Sequence, residues 1–145
     1  MKHLGRRWFV AIPLAALPLW SCQQGSGSES RTPPAQVQAI EGGELSRVIL
    51  TEAAMERLGI ETASVERVEG PGVVAAAPYG SLVYDPRGGT WVYTVPQART
   101  FVRQAVIVAS IEGQVAYLTA GPPAGTEVVS VGAAELLGTE FGAVR

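Results

Sequence analysis

From Ile60 onward, apolar and polar positions alternate in short runs broken by turn residues, a period-two pattern that predicts strands. The runs are Ile60 to Glu66, Val73 to Ala76, Ser81 to Tyr84, Thr90 to Val95, Thr100 to Ala109, Gln114 to Thr119 and Glu127 to Val131. Asp85, Pro86, Arg87, Gly88 and Gly89 separate two of them, with Pro fixing φ and the glycines accepting positive φ, so a hairpin is expected there. In the run from Thr100, Val102, Val106 and Val108 share one face while Phe101, Arg103 and Ile107 share the other. Both faces are partly apolar, which fits a strand that is central or held between layers. One stretch reads as helix: Thr51 caps it, Glu52 and Glu56 lie one turn apart on its surface, Met55 and Leu58 face inward, and Gly59 ends it. The segment Gly132 to Gly138 is expected as a single helical turn or an irregular edge that returns Leu136 and Leu137 to the core. The fold class is mainly β, a small barrel or sandwich with one short helix.

Before this region the pattern changes twice. Lys2, Arg6 and Arg7 precede an apolar run from Trp8 to Trp20, which Pro13 and Pro18 interrupt, and Ser21 and Cys22 follow. A basic start, a short apolar stretch and a small residue make a secretion signal over residues 1–21. The run is well short of the roughly 20 apolar residues that a helical membrane span needs. Residues 22–46 are rich in Gly, Ser, Pro and Gln with few large apolar side chains, a composition that reads as a flexible linker. The folded part is therefore placed at residues 47–145.

Composition narrows the chemistry. The chain has 145 residues with eleven Lys and Arg, thirteen Asp and Glu and one His. Without the signal, eight Arg face thirteen acids, a net charge of −5, and neither Lys nor His remains. General-base His chemistry, Lys Schiff bases and His metal ligands are then unavailable, and the serines have nothing to activate them. No cofactor site, metal site or catalytic residue is assigned, and the protein is expected not to be an enzyme. With no basic cluster, nucleic acid is not an expected partner. Glu52 and Glu56 read as a hydrated helix face, and Glu135 with Glu140 shows no spacing that would make a catalytic carboxylate pair. The candidate partner-binding residues are Tyr79, Tyr84, Arg87, Trp91, Arg99 and Arg103: aromatics on the hairpin strands, with cations at its tip and nearby.

Leu19, Trp20, Ser21 and Cys22 resemble the lipobox of bacterial lipoproteins, which implies acylation of Cys22 and a membrane tether; Trp20 departs from the usual smaller residue. Arg6 to Val10 also resembles a twin-arginine export signal, although Gly5 and Ala11 do not fit its flanks. Three further segments are similar to parts of the periplasmic adaptors, or membrane fusion proteins, of RND-type efflux pumps. Val48 to Val65, VILTEAAMERLGIETASV, resembles the segment that opens the adaptor core. Ala77 to Tyr93, APYGSLVYDPRGGTWVY, resembles an adaptor strand-turn-strand, and Thr100 to Gly142 resembles the C-terminal membrane-proximal unit. The lipoyl-like module and α-helical hairpin of complete adaptors have no counterpart between these segments. Metal-exporting adaptors use Met or His ligands, whereas here Met55 stands alone and reads as core filler.

The resemblance implies a lipid-anchored protein on the periplasmic face of the cell envelope. It would bind an efflux transporter or a full-length adaptor as an accessory subunit, without catalysis. Gln23 after Cys22, in place of Asp, leans toward the outer membrane. The alternative is a stand-alone lipoprotein that binds a lipid or a cell-wall component.

Overall fold

A computed structural model describes residues 32–142. The signal segment and Cys22 lie outside the described residues. In chain order the elements are β1 (Ala35–Ala39), β2 (Ser46–Leu50), α1 (Glu52–Leu58), β3 (Glu61–Ser64), β4 (Glu66–Gly70), β5 (Val73–Pro78), a 3-10 turn (Tyr79–Ser81), β6 (Val83–Tyr84), β7 (Thr90–Gln97), β8 (Thr100–Ala105), β9 (Ile107–Glu112), β10 (Val115–Ala120), β11 (Glu127–Val131) and α2 (Ala133–Gly142). The expected mainly-β class is observed. The expected helix is α1: the Thr51 hydroxyl accepts from the Ala54 amide at 3.2 Å, and Gly59 closes the helix at φ 62°.

The strands form two sheets. One runs β1-β2-β8-β7-β11-β3 with β6 added against β7, and the other runs β4-β5-β10-β9. Adjacent residues on the central strands show how these stack, because successive side chains point to opposite faces. Tyr93 and Val129 join Val48, Leu50, Phe101, Ala133 and Leu136 in one buried cluster, against which Met55 and Leu58 of α1 pack. Their neighbours Val92 and Val128 join Ala75, Ala77, Ala116 and Leu118 of the second sheet in another. The first sheet is thus the middle of three layers, with the helices on one side and the second sheet on the other. A strand covered on both faces reads as a continuous apolar run, as Val128 and Val129 do in β11.

Two of the expected strands are in fact pairs of strands. The run Ile60 to Glu66 divides at Val65 into β3 and β4, and the run Thr100 to Ala109 divides at Val106 into β8 and β9, each crossing from the first sheet to the second. Val65 donates its amide to the Thr126 carbonyl at 2.8 Å, and Val106 donates to Thr90 at 3.0 Å. Both valines are buried in the cluster between the sheets. No turn residue marks either crossing, because an extended chain changes partners there without reversing direction.

Two further expectations are corrected. The segment read as linker over residues 22–46 contains β1 and the start of β2, which pair antiparallel from Ala35 with Leu50 to Ala39 with Ser46. The sequence AQVQA offers a single sizeable apolar residue, Val37, which packs with Ala35 against the helix-side cluster; pairing and those two contacts hold the strand, and composition does not reveal it. The C-terminal segment is a ten-residue helix instead of one turn. Ala133, Leu136 and Glu140 are its buried residues and lie on one face at i, i+3 and i+7. The charge of Glu140 and the presence of Gly138 disguise that face.

Gly132 makes the entry to α2 possible. It sits at φ 85°, and a Cβ there would collide with the end of the Ile60 side chain. Gly132→Ala is expected to lower stability by more than about 1 kcal/mol, since backbone strain adds to the clash. Urea denaturation checks this, and an unchanged midpoint would contradict it.

Candidate binding pocket

The hairpin between β6 and β7 is held by one side chain. Asp85 Oδ1 accepts from the Arg87 amide at 2.9 Å and the Gly89 amide at 2.8 Å, while Gly88 turns at φ 85°. Asp85 Oδ2 accepts from the Trp91 indole Nε1 at 2.9 Å, so the turn also fixes that ring. Tyr93 lies two residues further along β7 and pairs directly with Arg103 of β8. Trp91, Tyr93 and Arg103 therefore share one face of the middle sheet, the face that α2 covers.

Glu140 descends onto this face from α2. Its Oε2 accepts from the Tyr93 hydroxyl at 2.6 Å and its Oε1 accepts from Arg103 Nε at 3.0 Å. The guanidinium carbon of Arg103 lies 4.6 Å from the centre of the Trp91 ring and 5.1 Å from that of Phe141, within cation–π range of both. The Arg103 and Glu140 side chains are only 8% and 3% exposed, so this is a buried ion pair. Beside it opens a pocket of about 450 Å3, lined by Leu45, Pro86, Trp91 and Phe141 as apolar wall and by Asp85, Arg103 and Glu140 as polar floor. Arg87 reaches across the rim to Glu44 at 3.0 Å, an exposed pair of little energetic weight.

Of the six residues proposed from sequence, the structure brings Arg87, Trp91 and Arg103 together at this pocket. Arg103, expected as a partner-binding cation near the hairpin tip, is buried and paired with Glu140. Tyr79 and Tyr84 are exposed and lie outside the pocket lining. Arg99 occupies the β7–β8 turn at φ 59° and borders a separate open depression with Glu52 and Glu56 of α1. Asp85, Glu140 and Phe141 were missed as site residues. The available signal was Arg103 itself: it shares a strand face with Phe101, and a buried arginine requires a carboxylate close by. Glu135 is exposed and Glu140 is buried, so the two glutamates of α2 occupy different environments.

Two groups of the site, Asp85 and Tyr93, make folding stability depend on pH. The Gly89 amide, and after it the Trp91 indole, the Arg87 amide and the Arg103 charge, hold the Asp85 carboxyl below the usual carboxylate range against the opposing effect of burial. A lowered carboxylate pKa stabilises the fold above the unfolded value, near 3.8, and that contribution is lost as pH falls through the folded value. Burial, followed by the hydrogen bond and charge of Glu140, pushes the Tyr93 hydroxyl well above its usual value, which Arg103 only partly offsets. Its contribution is complete below pH 10.0 and is lost above it, where the unfolded phenol ionises. Urea midpoints measured against pH are expected to fall at both extremes. Asp85→Asn should flatten the acid fall and Tyr93→Phe the alkaline one; variants that track the wild-type curve would refute the assignment.

No protein-family model, curated protein or solved structure matches the chain.

Proposed function

We propose that this protein is a docking subunit of the cell envelope, tethered through Cys22 and binding a transporter or a full-length adaptor of an efflux or export system. The observation that carries the reading is the pocket beside Arg103. Arginine and tryptophan dominate the energetically important positions of protein interfaces, where they sit in dry pockets within a polar rim. Here Trp91 and Arg103 line an open pocket, and Arg87 and Glu44 form its rim. Phe141, at the wall, leaves 40% of its surface exposed, apolar area that a partner can cover. The resemblance of three segments to adaptor cores names the kind of partner. Binding of a lipid or cell-wall component would be favoured by an apolar groove joining Tyr79, Tyr84 and Trp91, and only Trp91 of these lines the pocket.

Photocrosslinking in cells tests the docking reading, with the photoreactive residue at position 141. The expected product joins the protein to a transporter or adaptor subunit. Its absence, under conditions where a known adaptor crosslinks to its transporter, would overturn the reading. The tether is tested separately: Cys22→Ala is expected to abolish acyl-chain incorporation and move the protein from the membrane fraction to the soluble one. Retention in the membrane fraction would refute a lipid anchor.

A further inference from the structure

Arg103 has more donors than its partners use. A guanidinium offers five N–H donors, and here Nε is committed to Glu140 while Nη1 stands 3.7 Å from Asp85 Oδ2. That distance balances charge but is too long for a hydrogen bond. Among the described residues neither Nη1 nor Nη2 has a hydrogen-bond partner, and no side-chain nitrogen or oxygen that is sealed from solvent lacks one. Both Nη groups therefore keep some contact with solvent, and Arg103 is one of the residues that line the pocket. It is a nearly buried polar side chain with unused donors, set at an opening.

Charge selects the class of ligand. Two carboxylates, Asp85 and Glu140, already surround the one guanidinium at the floor. A free carboxylate or phosphate drawn to Nη would meet both of them where water is scarce. A cation would meet the guanidinium. An uncharged acceptor takes the hydrogen bonds and incurs neither repulsion. The walls of Leu45, Pro86, Trp91 and Phe141 suit an apolar group beside that acceptor, and about 450 Å3 is room for a short segment.

Resting on the docking reading above, we infer that the pocket takes a short uncharged stretch of the partner's polypeptide, one carbonyl accepting from Arg103 Nη with an adjacent aliphatic side chain against Phe141 and Leu45. The test is an NMR titration of the 15N-labelled full-length protein with N-acetylleucine methylamide. N-acetylleucine and leucine methylamide are run in parallel as charged analogues. The Trp91 indole and Arg103 Nε–H resonances are expected to shift saturably with the diamide, and the charged analogues should need at least about tenfold higher concentrations. Phe141→Ala, which leaves the Arg103–Glu140 pair in place, is expected to weaken the diamide about fivefold or more. Arg103→Lys, which keeps the charge but loses the planar fork, should abolish the shifts.

Absence of shifts, equal or tighter binding of the carboxylate, or indifference to Phe141→Ala would each overturn the inference. Shifts without a crosslinked transporter or adaptor would support the ligand class and overturn the docking reading. A crosslinked partner without shifts would do the reverse.

Discussion

Glu140→Ala is expected to destabilise the protein by about 3–5 kcal/mol, the scale for removing one member of a buried ion pair. The carboxylate is 2% exposed as a residue and accepts from both Tyr93 and Arg103, so its loss orphans two buried groups at once. Among the described residues Asp85, 3.7 Å from Nη1, would be the nearest remaining charge to Arg103. It could not replace the hydrogen bond to Nε. Arg103→Met is expected to cost a similar amount, because it leaves the buried Glu140 carboxylate with only the Tyr93 hydroxyl and Asp85 without its nearby cation. Replacing both together, Arg103→Met with Glu140→Leu, is expected to recover most of the loss, since apolar packing of similar volume often equals or exceeds a buried pair. Wild type, Glu140→Leu, Arg103→Met and the double variant form a cycle whose interaction free energy is read from urea denaturation. A Glu140→Ala variant within about 1 kcal/mol of wild type would show that α2 is held by its apolar contacts alone.

Features with a local cause were legible in the sequence. Asp85 to Gly89 announces a hairpin because the turn's own residues dictate its geometry, and α1 is bounded by a cap and a stop that act within one helical turn. Features whose cause lies far along the chain were not. The crossings at Val65 and Val106 depend on which strand pairs with which, and two valines in extended runs look the same whether or not the partner changes. Strand β1 has a composition that suits a linker and is ordered by β2. The site was legible in the same proportion. Period-two spacing put Phe101 and Arg103 on one face and Trp91 with Tyr93 on another strand, but the register that sets Tyr93 opposite Arg103 comes from long-range pairing. Glu140 is 37 residues from Arg103, and a glutamate in an apolar helix face gives no sign of its partner until the helix docks.

Phe101→Ala and Leu118→Ala test whether the three layers unfold as one. Each side chain is fully buried, Phe101 in the helix-side cluster and Leu118 in the cluster between the sheets. Truncation should cost about 3–5 kcal/mol at Phe101 and about 2–5 kcal/mol at Leu118, from lost apolar transfer and the cavity left behind. The clusters lie on opposite faces of the middle sheet, so the effects should add. Their sum approaches or exceeds the roughly 5–15 kcal/mol that stabilises a typical domain, and the double variant is expected to be largely unfolded. The chain passes through Val65 and Val106 from one sheet to the other without an intervening loop, so neither sheet can open while its strands stay extended into the other. Hydrogen exchange on Leu118→Ala should therefore show β8 and β10 amides losing protection together. If β9 and β10 were deprotected while β7 and β8 kept wild-type protection, the second sheet would be a separate folding unit and the crossings would act as hinges.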